Sequence, residues 1–298
     1  MKNRYKPIGN GYYNEVFFDP DTKQVFRVSS EDKKEISVKQ ELEWVNYLYL
    51  NGVPVPRLLK VEKWEGKLVI AMEYIEGESM DVTNPSHWNP EVFQKIGKIL
   101  GKMHALSKKY NKVLISRPRW TRNNPDVYGI NDFLSPEMKK TYYYWLSKLN
   151  DFETTEDNFG LIHNDFHQGN FIIRNNGNLT VIDFDDCSYN WFAQDFAVLF
   201  YHAYWQQNSF NGLNENFTSQ FFSNLVFGYK KENNLPVEIL KQIPIFLKLR
   251  EIYLYQLFKR KWNMNSLAEW QNFTLRDLEK KIFNKDSYAG IKDFSIFS

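Results

Sequence analysis

The stretch Leu161-Ile162-His163-Asn164-Asp165-Phe166-His167-Gln168-Gly169-Asn170-Phe171-Ile172-Ile173, continued after a turn by Val181-Ile182-Asp183-Phe184-Asp185-Asp186, decides the fold. Its apolar runs flank Asn175-Asn176-Gly177-Asn178, which has the composition of a hairpin turn. Two short strands then bracket a polar loop holding Asp165 and Asn170, and Asp183 sits at the end of the second strand. Asn170 and Asp183 border strands of one ribbon, so the hairpin brings them together. Both offer hard oxygen ligands, which suits Mg2+ with phosphate oxygens completing the shell. Asp165 precedes Asn170 by five residues on the same loop, where it can receive a proton from a hydroxyl facing those phosphates. Phosphoryl transfer needs positioning, charge neutralisation and one base or orienting carboxylate.

Outward from this core, the chain is ordinary in charge and hydropathy. It has 298 residues, with 38 Lys plus Arg against 36 Asp plus Glu and a net charge of +2. That balance gives no field strong enough to point to nucleic acid or a membrane surface. With 43% hydrophobic and 25% charged residues, wholesale disorder is excluded, and the length suffices for one large core or two smaller ones. The lone Cys187 rules out an intramolecular disulfide and leaves too few thiolates for a zinc knuckle. With no apolar start of signal-peptide length and no apolar run long enough to span a bilayer, the expected location is the cytoplasm.

The front and back of the chain differ in pattern. Glu15–Phe18 and Gln24–Val28 read as strands across the turn Asp19-Pro20-Asp21-Thr22. Glu35 to Leu50 has helical spacing, with a stripe through Leu42, Val45 and Tyr49 flanked by Trp44 and Leu48, and Asn51-Gly52 stops it. Arg57–Glu62 and Lys67–Tyr74 read as further strands, and from Pro90 onward helical patterns dominate. The expected class is therefore α+β: a small β-rich N-terminal lobe over residues 1–78, a hinge near 73–78, and a larger, mainly helical lobe over 79–298.

The order His-x-Asp-x-x-x-x-Asn at His163, Asp165 and Asn170, followed by an apolar run and Ile182-Asp183-Phe184, resembles the catalytic core of the aminoglycoside phosphotransferase and choline kinase families, relatives of protein kinases. The resemblance implies a bilobal protein-kinase-like fold, ATP as phosphate donor with GTP the alternative, and Mg2+. It makes Asp165 the catalytic base, Asn170 and Asp183 the magnesium ligands, and His163 a brace for the loop. Asp185 replaces the glycine of the protein-kinase Asp-Phe-Gly, which weakens the protein-kinase reading. Ile8-Gly9-Asn10-Gly11-Tyr12-Tyr13-Asn14-Glu15-Val16 is similar to the phosphate-covering loop, with Gly9 and Gly11 letting amides approach the nucleotide and Asn14 in place of the third glycine. Arg27 stands where the resembled strand carries its phosphate-binding lysine. Flanked by Phe26 and Val28, it needs an anionic partner, because an unpaired buried charge is costly; Glu41 is the first choice and Glu43 the second. Lys67 to Gly77 resembles the strand leading into the hinge, which implies adenine contacts from the Glu73 carbonyl and the Ile75 N–H beside Met72. Trp191 to Ala197 resembles the segment in which an aspartate, here Asp195, caps the next helix or ties down the catalytic loop.

For the acceptor, residues 112–150 and the helices after Tyr201 are the expected pocket, with Trp120, Trp191, Tyr201, Tyr204 and Trp205 as an aromatic wall suited to a quaternary ammonium or a sugar face. Asp185 and Asp186 could meet a cationic substrate. Beyond these and Glu251 no carboxylate-dense pocket for a polycation can be assembled. His163 and His167 have the spacing of a zinc-protease pair, but they lie on a loop, so zinc is not expected. His104 reads as a packing histidine, His87 and His202 carry no role, and Cys187 has no basic partner. The function expected is phosphotransfer from ATP to a hydroxyl of an aminoglycoside-, choline- or sugar-like small molecule. The alternatives are a protein Ser/Thr kinase and a catalytically silent nucleotide-binding protein. Nucleic acid and membranes are not expected partners, and the oligomeric state stays open.

Overall fold

Short β-rich runs separated by polar turns build the front of the molecule. A computed structural model describes residues 5–10, 14–30, 33–127, 129, 133–284 and 286–298. Strands β1 (Lys6–Asn10), β2 (Asn14–Asp19), β3 (Gln24–Ser29), β4 (Leu58–Trp64) and β5 (Lys67–Glu73) form an antiparallel sheet in the order β1-β2-β3-β5-β4. Asp19 makes the first tight turn, its carboxylate accepting from the Asp21 N–H at 3.1 Å and the Thr22 hydroxyl at 2.9 Å.

Helix α1 (Glu35–Leu50) crosses behind this sheet and ends where expected, the Asn51 N–H returning to Leu48 and Gly52 taking φ +75°. Its buried face differs from the stripe expected. Tyr49 is only half-buried, while Val38, Glu41, Leu42, Trp44, Val45 and Leu48 are buried. The helix serves two cores at once, which widens that face. Val38 and Leu42 join Leu68 and Ile70 in a small front cluster, and Trp44, Val45 and Leu48 belong to the large core behind.

After Glu73 the chain leaves the front sheet and returns as β6 (Gly77–Ser79), which pairs with a hairpin of the back lobe. Helix α2 (Pro90–Lys109) starts under the Asn89 side chain, which accepts from the Val92 N–H, and buries Val92, Phe93, Ile96, Leu100 and Met103. Helix α3 (Pro136–Lys148) has the same Pro start beneath a capping Ser135. Then come β7 (Phe159–Ile162), the hairpin β8 (Phe171–Arg174) and β9 (Leu179–Val181), and β10 (Ser188–Trp191), which pairs with β7. Helices α4 (Phe192–Gln206), α5 (Phe217–Tyr229), α6 (Val237–Lys261) and α7 (Glu269–Asn284) complete the lobe. The architecture is the α+β, kinase-like one that the sequence implies.

Helices α2 and α5 touch backbone to backbone. A Cβ at Gly97 would lie 2.0 Å from the Leu225 carbonyl, and one at Gly228 would lie 2.0 Å from that of Gln94, so neither position admits a side chain without moving a helix. Among the described residues no helix is long and apolar enough to cross a membrane.

Candidate active site

The loop after β7 is suspended from one buried carboxylate. Asp195, in the first turn of α4, accepts the His163 N–H at 3.2 Å and the Asn164 N–H at 2.7 Å. It holds the loop and does not cap the helix, whose N-cap residue Trp191 makes no side-chain cap bond. Behind Asp195 lies His104, its Nε2 at 3.3 Å from the carboxylate and its Nδ1 at 3.0 Å from the Tyr229 hydroxyl. A carboxylate only accepts, so Nε2 carries the proton and the Tyr229 hydroxyl donates to Nδ1. Burial holds the His104 pKa below its ordinary value against the pull of Asp195, so the ring is neutral.

His163 is fully buried. Its Nε2 donates to the Ile182 carbonyl at 3.0 Å, and its Nδ1 accepts the Asp165 N–H at 3.3 Å. It thus ties the catalytic loop to the end of the hairpin. Asn164 and Asp183 both take positive φ, +70° and +64°, and they lie on the two segments that His163 joins. Asn170 gives its amide nitrogen to the Asp165 carbonyl at 2.9 Å, and the Ile182 N–H reaches the Asn170 carbonyl at 3.0 Å. Asp165, Asn170, Asp183, Asp185 and Asp186 all line one cleft of about 340 Å³, together with Asn14 of β2.

The donor chemistry of this cleft fits Mg2+. The Asn170 nitrogen is already engaged, which leaves its oxygen as the ligand end, and the crowded protein around Asp183, with the neighbouring Asp185, raises the pKa of this solvent-accessible carboxyl, the condition a cation would relieve. Among the described residues no three His, Cys, Asp or Glu side chains cluster as a self-contained metal site, so phosphate oxygens would complete the shell.

The front of the cleft is electrostatic. Arg27 is buried and paired with Glu41 at 2.6 Å; burial opposes its charge, and Glu41 with Asp185 outweighs that and raises its pKa. Glu43 points away, its side chain half exposed and 3.8 Å from Lys112. Asp185 accepts from Asn14 at 2.7 Å, pairs with Lys33, and lies 3.7 Å from Arg27. Burial works against its charge, but Arg27 and Lys33 keep its pKa low. Asp186 is solvent-accessible, and the crowded protein around it, with Asp165, Asp185 and Asp183, pushes its pKa up. At the hinge, Met72 faces Leu58 and Val25 in the sheet, the Glu73 N–H reaches the Arg57 carbonyl, and the Ile75 N–H has no main-chain acceptor among the described residues. Gly9 lies in β1 opposite Val16, beside a register shift, whereas Gly11 falls outside the described residues.

The expected aromatic wall does not line the cleft. Trp120 is 4% exposed and packs edge-on against Trp191, Tyr201 stacks on Tyr288 at 4.6 Å, and half-exposed Trp205 sits beside Phe210. Tyr204 packs on the same Tyr288, and Glu251 is buried against Lys248 at 2.6 Å. Trp120, Trp191 and Tyr201 fill the helical core and Trp205 faces outward; residue type alone does not separate a core aromatic from a pocket aromatic. The wall is instead α6, through Tyr253, Leu254, Leu257 and Phe258. An adjoining cleft of about 350 Å³ shares Asp185, Asp186, Arg250 and Tyr253 and adds Ser37, Arg117 and Arg260. Arg117 pins the aspartate segment, donating to the carbonyls of Cys187, at 2.7 Å, and Asp185. Burial pushes the Cys187 thiol up to about 12, an unreactive state.

The sequence reading missed Arg250, His202 and the α6 wall of the cleft, and also Lys33, which pairs with Asp185. His202, to which no role was given, lines the cleft beside His167, the rings 4.4 Å apart. One signal for Arg250 was available. It precedes Tyr253, Leu254, Leu257 and Phe258 by three, four, seven and eight residues, a lone cation on an apolar helical stripe.

Comparison with known proteins agrees with the fold. Residues 4–231 match the model of the phosphotransferase enzyme family. Amicoumacin kinase of Bacillus subtilis (strain 168) is 30% identical over 263 residues, covering 82% of this chain and 76% of that protein. Among solved structures, the amicoumacin kinase hAmiN in complex with AMP-PNP, Ca2+ and Ami superposes with a TM-score of 0.84 at 23% identity, over 96% of this chain and 90% of that one. The choline kinase LicA from Streptococcus pneumoniae gives 0.60 at 15% identity, over 94% and 93%.

Proposed function

The chain belongs to the phosphotransferase enzyme family and is a kinase acting on a hydroxyl; from that premise we propose that it moves the γ-phosphoryl group of ATP to a small amphipathic acceptor of the amicoumacin kind. One observation carries the reading. Asp165, Asn170 and Asp183 converge on a cleft whose far wall is the apolar and aromatic face of α6. Such a wall suits an acceptor with a flat apolar body, and it is a poor host for a polycationic sugar.

In this reading Asn170 and Asp183 hold Mg2+, which supplies charge neutralisation at the phosphate oxygens when bound. Asn14, Arg27 and Lys33, which gather on Asp185, face the phosphates, and the Glu73 carbonyl and Ile75 N–H read the adenine. Asp165 orients the acceptor hydroxyl and receives its proton. The acceptor oxygen bonds to the γ-phosphorus while the bond to the β–γ bridging oxygen breaks, its electron pair leaving with ADP. A donor of this kind puts the reaction in the cytoplasm.

The test is acceptor-dependent ADP release with ATP or GTP against amicoumacin, choline, aminoglycosides and an added protein, with the product mapped by mass spectrometry. The expected result is phosphate on a hydroxyl of amicoumacin. Phosphate found only on protein, or no acceptor-dependent release, would overturn the reading.

A further inference from the structure

Asp165 is gripped from the side opposite its own loop. Arg250 of α6 is 4% exposed, and its Nη2 donates to Asp165 Oδ1 at 2.7 Å. The same nitrogen lies 2.8 Å from His202 Nε2 on α4. A guanidinium in a protein keeps its protons, so His202 must present an unprotonated Nε2 and carry its proton on Nδ1. The other carboxylate oxygen, Oδ2, has only longer contacts, 3.3 Å to His167 Nε2 and 3.4 Å to Asn170 Nδ2. The His202 ring is in turn fixed by stacking on His167 at 27° between planes.

Resting on the phosphotransfer reading above, we propose that Arg250 is a positioning residue for the reaction and that His202 aims it. The pair locks Oδ1 and so presents Oδ2 to the acceptor hydroxyl. An arginine needed only to join α6 to the loop would not require a lone-pair acceptor on a third element. The His202 ring supplies one, a second contact on the same guanidinium nitrogen. Burial, with His167 and Arg250, keeps His202 neutral, as an acceptor must be.

Four variants test this: Arg250→Met, Arg250→Lys, His202→Gln and His202→Phe. Each is assayed for phosphate transfer to amicoumacin and for ATP hydrolysis with water as acceptor, alongside the KM for ATP and the thermal midpoint. Arg250→Met should lose kcat on the order of 10²-fold, the size of an ångström-scale misplacement, with the KM for ATP unchanged. Arg250→Lys should recover part of that loss, because an ammonium reaches Asp165 without the fixed fork. His202→Gln keeps a side-chain acceptor and should stay close to wild type, while His202→Phe keeps the stack, loses the acceptor and should fall roughly tenfold. A kcat within twofold of wild type in Arg250→Met would overturn the proposal. So would a loss that tracks the thermal midpoint and the KM for ATP without rescue by Lys. A wild-type chain that neither transfers nor hydrolyses would instead remove the phosphotransfer reading, and this proposal with it.

Discussion

Behind the cleft, the catalytic loop hangs from Asp195, whose two oxygens take the His163 and Asn164 amides inside the aromatic core. In front of it, Asn14, Arg27 and Lys33 meet a single carboxylate, Asp185, across the gap between the lobes. The rear contacts are charge-assisted hydrogen bonds among buried groups. The front contacts are two ion pairs and one amide-to-carboxylate hydrogen bond, all on Asp185. The difference teaches that the loop carrying Asp165 is held by buried hydrogen bonds, whereas the front of the cleft is held by charge gathered on Asp185.

The largest effect expected on this contrast is chemical. Asp165→Asn should reduce turnover by roughly 10²–10⁴-fold while ATP binding by calorimetry persists, the size of a lost general base. Next comes the buried pair of the front lobe. Glu41→Gln takes the nearest anion from buried Arg27, leaving Asp185 at 3.7 Å, and should cost about 3 kcal/mol by urea denaturation. A smaller loss is expected at the rear. Asp195→Asn keeps one acceptor and should cost about 1.5–3 kcal/mol, with kcat lowered more than the KM for ATP.

A pH titration sharpens the same comparison. His104 is neutral in the folded chain, whereas the unfolded chain protonates it below its ordinary value of 6.5. The unfolded state then binds more protons, so stability falls as pH drops through that value, by at most about 1.4 kcal/mol per pH unit. Denaturation midpoints between pH 7.5 and 5.5 should therefore change less steeply in His104→Gln. The smallest effect belongs to Trp205→Ala. This ring lies off the cleft, so turnover within about twofold of wild type is expected, and a larger drop would restore it to the acceptor wall.

What could be read in advance divides along physical lines. The segment 161–186 is local: its turn, strands and polar loop follow from residues that are neighbours in sequence. The Arg27–Glu41 pair was also legible, because a cation between apolar strand residues must find an anion on whatever packs against it. Arg250 and Asp165 are 85 residues apart and His202 and Arg250 are 48 apart, and only the packing of α6 against α4 joins them. The aromatic wall was misassigned for a related reason. Trp120 and Tyr201 have the residue types of a pocket wall, but burial in this lobe is decided by which helices meet, and α6 takes the place beside the cleft.

The glycine crossing of α2 and α5 lies one residue from Tyr229, the far end of the chain of bonds that runs through His104 and Asp195 to the loop. A single methyl at Gly228 would push the two helix axes apart and tug that chain from its remote end. In a screen of random variants this crossing is expected to register as a sensitive position, although it lines no part of the cleft.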